Sequence, residues 1–423
     1  MERLTFYSEL TMADTTLDQP LTLPCGTTLK NRLGKSAMSE TLGTPDNRVT
    51  GRLANLYRAW AQGGAGLSIT GNVMIDSRAL GEPCNVVVED RRDMARLKAW
   101  ARAGSENGTA LWMQINHPGK QAPAALNRAT VAPSAVPFSD PNLKRFFHLP
   151  RALSQAEITD LVRRFGETAA VAREAGFGGV QIHGAHGYLI SQFLSPRHNV
   201  REDQYGGNPQ NRMRFVLEVF DEIRARVGRD FPVSIKLNSA DFQKGGFSEE
   251  ESLGVVQALA ERGMDLIEIS GGTYEAPRMA GQGVAESTRL REAYFLAYAE
   301  QVRQRVSVPL MVTGGFRSRE GMDAALASGA TDLVGLARPL VVEPDFGNRL
   351  LAGGPVHSAV APIRTGIRAV DNAAMMEVSW YTLQLARIAR GKAPHADASG
   401  LASLLKVAGL IGWRRLRMGR LRV

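Results

Sequence analysis

The fold class predicted by the sequence is α/β, a (β/α)8 TIM barrel, on three observations. Short apolar runs rich in β-branched residues alternate with helix-period stretches along most of the chain. Eight such runs can be placed, which suits a closed barrel better than an open doubly wound sheet. No G-x-G-x-x-G follows the first run and no G-x-x-x-x-G-K-[ST] occurs, so an open dinucleotide-binding sheet and a P-loop both lack their fingerprints. A chain of 423 residues is long for an average domain but ordinary for one barrel with insertions.

The expected strands are Leu33–Met38, Gly66–Thr70, Ala110–Ile115, Gly179–His183, Val233–Leu237, Leu266–Ser270, Leu310–Thr313 and Leu333–Leu336. The expected helices include Gln155–Glu174, Arg212–Val227, Glu249–Arg262, Arg291–Val306 and Ser318–Ser328. The last begins on a hydroxyl suited to capping and stops before Gly329. Residues 117–153, after the third strand, are rich in proline, serine and aromatics and read as a loop excursion over the strand ends, a small hairpin lid. Residues 274–290, after the sixth strand, are glycine-rich and read as part of a substrate pocket. Beyond residue 355 the pattern changes to a helical extension, with Val378–Arg390 and the basic stretch Ser399–Leu421 as its helices.

Composition narrows the function classes. Cys25 and Cys84 are the only cysteines, so no CxxC pair exists for a zinc ribbon or a cysteine-ligated iron–sulfur cluster. Few cysteines and an acidic N-terminus without a signal-like apolar stretch predict a reducing, cytoplasmic setting. The net charge of +9 is uneven: residues 401–423 hold Lys406, Arg414, Arg415, Arg417, Arg420 and Arg422 and no acid, which leaves the remainder near neutral. A nucleic-acid partner is therefore not expected. The interleaved Trp413 and leucines allow the tail a weak membrane-surface or subunit contact.

Barrels of this kind place their chemistry at the C-terminal strand ends. Polar groups converge there from nearly every strand. They are Ala37-Met38-Ser39 after the first, Asn72 after the second, Gln114 with His117 after the third, and His183, His186 and Tyr188 after the fourth. Lys236 on the fifth, Gly314-Gly315 after the seventh, and Ala337-Arg338 after the eighth complete the set. His183-x-x-His186 with His117 admits a metal reading, and Tyr188 alone admits a packing role. Lys236 on a buried strand needs a partner or a function.

Five ordered blocks carry a more specific signal: K-N-R at 30–32, Q-I-N-H-P-G-K-Q at 114–121, H-G-A-H-G-Y-L-I-S-Q-F-L-S-P at 183–196, R-E-D-x-Y-G-G at 201–207, and N-R at 211–212. Over about residues 20 to 350 the chain resembles the Old Yellow Enzyme family. The resemblance implies an FMN-binding barrel over residues 1–355, with residues 356–423 as an appended helical segment. It implies that Ala37, Met38, Ser39, Asn72, Gln114, His183 and Lys236 surround the flavin ring, and that Gly314, Gly315, Ala337 and Arg338 hold its phosphate. No metal is implied. NADH or NADPH re-reduces the flavin from the substrate side. The implied reaction reduces the activated C=C bond of a small electrophilic alkene, or a quinone. His183 and His186 bond the carbonyl oxygen, hydride comes from flavin N5, and Tyr188 protonates the α-carbon. Some relatives have a cysteine and a tyrosine where this chain has Ser39 and Thr41, so its flavin potential and substrate roof differ from theirs. The alternative is oxidation or demethylation of an amine, or desaturation of a saturated substrate, which Glu275 and Glu286 would favour. A third reading keeps the barrel only as a scaffold for a tail that binds membranes or partners.

Overall fold

The computed structural model describes residues 15–276, 292–363, 365, 375–395, 398–407 and 409. Eight parallel strands form its centre: β1 (Leu33–Lys35), β2 (Leu67–Ile69), β3 (Ala110–Asn116), β4 (Gly179–Gly184), β5 (Val233–Asn238), β6 (Leu266–Ser270), β7 (Leu310–Thr313) and β8 (Leu333–Leu336). Each pairs with the next in sequence, and β8 returns to β1 with Val334 opposite Leu33, which closes the barrel. Every predicted run finds its strand: the last three have the predicted bounds, and β3, β4 and β5 each run one residue further than expected. β1 stops at Lys35, three residues short of expectation, so Ala37-Met38-Ser39 stands above the barrel as irregular backbone.

Four of the helices between the strands start where a side chain accepts from a first-turn N–H group. α1 (Gly51–Gln62) and α2 (Met94–Gly104) follow β1 and β2. α3 (Gln155–Glu174) opens on a capping box of Ser154 and Glu157, and α5 (Glu249–Glu261) on one of Ser248 and Glu251. α4 (Pro209–Val227) has Asn208 as its cap and proline in its first turn. It begins three residues earlier than predicted. α6 (Leu296–Arg303) is shorter than the predicted Arg291–Val306, whose first residue lies outside the described set. In α7 (Arg319–Ala327), Ser318 accepts from the Gly321 N–H, and Gly329 takes the left-handed conformation just beyond the end. α8 (Phe346–Leu351) follows β8.

The barrel floor is closed by a short antiparallel pair, Leu21–Thr22 with Thr28–Leu29. Leu21, Leu23 and Leu29 pack there against Leu67, Trp112, Leu266, Met311 and Leu333, which lie at or near the lower ends of their strands. Burying a leucine this way contributes roughly 1.5–3 kcal/mol, so sealing the floor is a sizeable part of barrel stability. The upper end is left to polar groups.

The excursion at 117–153 is not the simple hairpin expected, although an isolated antiparallel bridge joins Pro123 to Phe147. Its two-residue strands, Val131–Ala132 and Arg151–Ala152, pair in parallel, so the chain crosses over between them instead of turning back. Arg201 holds it down, donating to the Pro133 and Leu153 carbonyls at 2.9 and 2.6 Å. Arg201 of the R-E-D-x-Y-G-G block is thus a clamp. α9 (Met375–Ile388) falls close to the expected Val378–Arg390, and its Leu385 and Ile388 join the main apolar core. Residues 400–407 are helical; the rest of the predicted Ser399–Leu421 helix lies largely outside the described residues. No described helix is long and apolar enough to cross a membrane.

Candidate active site at the upper barrel end

A buried polar chain crosses the barrel just below its upper mouth. Residues in register on adjacent parallel strands face the same side. The pairings Gln181 with Gln114, His183 with Lys236, and Lys236 with Glu268 therefore set these groups side by side. Gln114 donates to Gln181 (2.8 Å), Gln181 donates to Glu268 (2.8 Å), and Lys236 stands 2.9 Å from the other Glu268 oxygen. Thr313 also donates to that oxygen at 2.7 Å and shares a hydrogen bond with Ser36. Glu268 is fully buried and Lys236 nearly so. A lone buried charge is prohibitively costly, so each ion makes the other's burial tolerable. Glu268 and Ser36 went unnoticed in the sequence, and Gln181 and Thr313 were given no role of their own. Their signal was weak but present: polar residues at inward positions of otherwise apolar strands.

Above this layer β4 ends in a reversal. His186 and Gly187 both have positive φ, 61° and 78°, which turns the chain back over the barrel mouth. This bend brings His183, His186 and Tyr188 into one cluster. The His183 ring lies 5.2 Å from that of His186 and 4.7 Å from that of Tyr188, edge to face in both cases. Burial, with His186 and Lys236 as neighbouring cations-to-be, drives the His183 proton affinity well below its usual value. Burial and Lys236 bring His186 to about 3. Both imidazoles are therefore neutral at pH 7. The Ala185 N–H donates to His183 Nδ1 at 3.3 Å, which leaves the proton on Nε2 as a donor. His186 Nε2 is 2.8 Å from Ser270 Oγ.

Tyr188 is 5% exposed, and burial raises its phenol far above the normal range. Its hydroxyl is 2.9 Å from that of Tyr274, from the segment after β6. Asn72 makes long contacts to Tyr188 Oη (3.5 Å) and Ser39 Oγ (3.4 Å). Glu82, from the loop after β2, lies beside Ser39 with one carboxylate oxygen buried and unpartnered. Burial first, then the Glu40 charge, brings Glu82 up to about 7. Sequence reasoning missed Glu82, which sits about a dozen residues past β2, and gave no role to Tyr274 within the 274–290 segment it expected to line a substrate pocket.

The wall formed by Ala37, Met38 and Asn72 is fixed from behind. The Gly71 N–H donates to Glu40 Oε1 and to Tyr57 Oη, both at 2.9 Å, and Tyr57 donates to Glu40. Lys35 is buried between the Tyr57 and Trp60 rings, 4.7 and 4.3 Å from their centroids, and donates to the Ile69 carbonyl.

Gly314 and Gly315 follow β7 with φ of 123° and 96°. A Cβ on Gly315 would meet the Tyr294 ring at 2.8 Å, so only glycine fits this close approach. Ala337 and Arg338 lie half-buried beside them at the end of β8. His117 does not join the cluster. Its Nδ1 accepts from Gly119 and its carbonyl from Leu189, so it organises the excursion. Among the described residues no group of three histidine, cysteine or acidic side chains is placed to hold a metal. Glu275 is engaged by Ser139, whose amide N–H donates to it at 2.8 Å, and Glu286 lies outside the described residues.

This donor set suits a flavin mononucleotide. A buried cation and an amide stand at ring level, and a glycine pair of left-handed conformation stands where barrels bind phosphate, after the seventh and eighth strands.

Comparison with known proteins agrees. The family model for NADH:flavin oxidoreductase / NADH oxidase matches residues 16–355. NADH-dependent flavin oxidoreductase iccE of Talaromyces variabilis is 39% identical over 357 residues, covering 79% of this chain and 86% of that protein. NADH-dependent flavin oxidoreductase iliE of Neonectria sp. (strain DH2) is equally similar over 79% of this chain, but the chain spans only 46% of that relative's length. Among solved structures, morphinone reductase superposes with a TM-score of 0.68 at 25% identity, over 83% of this chain and 93% of its own. The chain belongs to the NADH:flavin oxidoreductase / NADH oxidase family, the Old Yellow Enzyme group of barrels, with FMN as its flavin and NADH or NADPH as its reductant.

Proposed function

We propose that this protein is an ene-reductase, which reduces the activated C=C bond of small α,β-unsaturated carbonyl compounds or related electrophiles. The observation that carries this reading is the His183, His186 and Tyr188 cluster, held over a layer that contains the Lys236 cation. Lys236 and Gln114 would meet the flavin's pyrimidine edge, with Ala37, Met38, Ser39 and Asn72 along the ring. Gly314, Gly315, Ala337 and Arg338 would hold its phosphate. When bound, FMN supplies the hydride.

The protein's own residues then polarise and protonate the substrate. His183 offers Nε2–H to the substrate oxygen, and His186 lies close enough to share it. Each hydrogen bond grows stronger as negative charge develops on that oxygen, so the pair lowers the barrier and not merely the binding energy. Tyr188, kept fully protonated by its burial, delivers a proton to the α-carbon. The amine-oxidising alternative loses support from Glu275, whose carboxylate is taken up by Ser139.

Residues 1–355 are proposed to be the catalytic barrel and 356–423 a helical extension whose basic end makes a weak surface or subunit contact. Removing 401–423 should leave turnover intact.

The deciding experiment adds a conjugated enone to the photoreduced holoprotein without oxygen. The flavin absorbance should return as the enone is consumed. A flavin that stays reduced under a panel of electron-poor alkenes refutes the proposal.

A further inference from the structure

The Tyr188 hydroxyl has a hydrogen-bond partner that the chemistry above leaves unused. Tyr274 reaches over from the segment after β6 and places its hydroxyl 2.9 Å away, with the two rings edge to face. The two residues differ in exposure, Tyr188 at 5% and Tyr274 at 36%, and burial penalises their phenols unequally, lifting Tyr188 far above the usual range and Tyr274 to about 12. Giving up a proton would leave Tyr188 as a phenolate in a nearly dry site. An anion there lacks solvation, so its formation alone is strongly disfavoured. A proton arriving from Tyr274 as the first one leaves removes that cost. The negative charge then forms on the phenol that burial penalises less, on the more exposed of the two residues.

Resting on the assignment of Tyr188 as proton donor, we infer that Tyr188 and Tyr274 form a two-proton relay, in which Tyr274 protonates Tyr188 Oη as Tyr188 protonates the substrate. The balance is simple. A C–H bond forms at the substrate α-carbon and the Tyr188 O–H bond breaks. A new Tyr188 O–H bond forms as that of Tyr274 breaks. Water returns a proton to Tyr274. Tyr274 is a relay residue, since it acts on substrate through Tyr188.

Glu82 sets the pH range of the relay. Its charge acts on both phenols and makes them hold their protons more tightly. Burial of the group, aided by the Glu40 charge and opposed by Ser39 and Asn85, brings its own titration to about 7, and one of its oxygens is buried without a hydrogen-bond partner. His183 and His186 flank the pair from β4 and stay neutral through this range. As pH rises through about 7, Glu82 becomes an anion and both phenols release their protons less readily. Substrate protonation should slow accordingly.

The test is stopped-flow reoxidation of chemically reduced holoenzyme by an enone, in mixtures of light and heavy water. Using prereduced enzyme keeps NAD(P)H out of the measurement. The native enzyme should show a bowed dependence of rate on deuterium fraction, the mark of two protons in flight. Tyr274→Phe should be about a hundredfold slower, the lower end of what general-acid assistance contributes, and its dependence should be straight. A slow Tyr274→Phe with the curve still bowed would mean a packing role only and would overturn the relay, as would a native rate. Tyr188→Phe separates the two levels of the argument. If it too reoxidises at the native rate, the donor assignment falls and the relay with it. If Tyr188→Phe is slow and Tyr274→Phe is fast, only the relay falls. Glu82→Gln should abolish the inflection near pH 7, and an unchanged inflection would remove Glu82 from the scheme.

Discussion

Lys236 and Glu268 face each other across β5 and β6 at 2.9 Å, the carboxylate fully buried and the ammonium nearly so. Thr313 and Gln181 donate to the same carboxylate, so the ion pair is the hub of the layer beneath the proposed flavin site. Glu268→Leu removes one partner and strands the other. Unfolding stability should fall by about 3–5 kcal/mol, the cost of an uncompensated buried charge. A urea titration that finds less than about 1 kcal/mol would remove the pair from its central position. Lys236→Met should in addition lower the flavin midpoint potential, measured against a reference dye, because a fixed cation favours the reduced anionic ring.

His183 is neutral, with its proton on Nε2. His183→Ala should lower kcat/KM for an enone by about a hundredfold, the scale set by removing one donor to a developing oxyanion. The loss should fall mainly on flavin reoxidation. An equal loss in flavin reduction by NADH would point instead to a general disturbance of the site.

Acid should destabilise the protein before ordinary carboxylates titrate. His117, His183, His186 and His198 are all buried with proton affinities far below the usual 6.5, for His117 about 4 and for His198 about 3. The unfolded chain binds protons below pH 6.5 that the folded one refuses, so stability falls as pH drops. Each such group contributes up to about 1.4 kcal/mol per pH unit below that point. Glu82, raised to about 7, works in the opposite direction, because it is protonated in the folded state while its unfolded form is still an anion. The histidines outnumber it. Urea midpoints should therefore decline steadily from pH 6.5 to 4.5, and a flat profile would contradict their neutral burial.

Gly315 tests the phosphate cradle. Its φ of 96° disfavours any side chain, and a Cβ would strike the Tyr294 ring. Gly315→Ala should leave the secondary structure intact by circular dichroism and sharply reduce the FMN retained after dialysis. Full retention would place the phosphate elsewhere.

Arg201→Ala should release the excursion from the barrel. The arginine satisfies the Pro133 and Leu153 carbonyls, and removing it costs about 1–3 kcal/mol for buried acceptors left without donors. Limited proteolysis should then cut within 117–153 far faster than in the native protein. Equal cutting rates would show that the clamp carries little.

The sequence by itself determined the barrel. Apolar runs buried on both faces, such as Leu266–Ser270 and Leu333–Leu336, were legible because strand burial repeats in every βα unit, and Ser318 and Gly329 marked their helix through local chemistry alone. The His183, His186 and Tyr188 cluster was legible for a similar reason: one short segment carries it, and the bend at Gly187 is local. Tertiary structure alone decided what meets that segment. Lys236 finds Glu268 through strand register, Glu82 and Tyr274 reach Tyr188's surroundings from loops after β2 and β6, and the excursion pairs in parallel where a hairpin was expected. Closing the barrel brings residues nearly two hundred positions apart to one mouth, and no local pattern in the chain encodes which of them will touch.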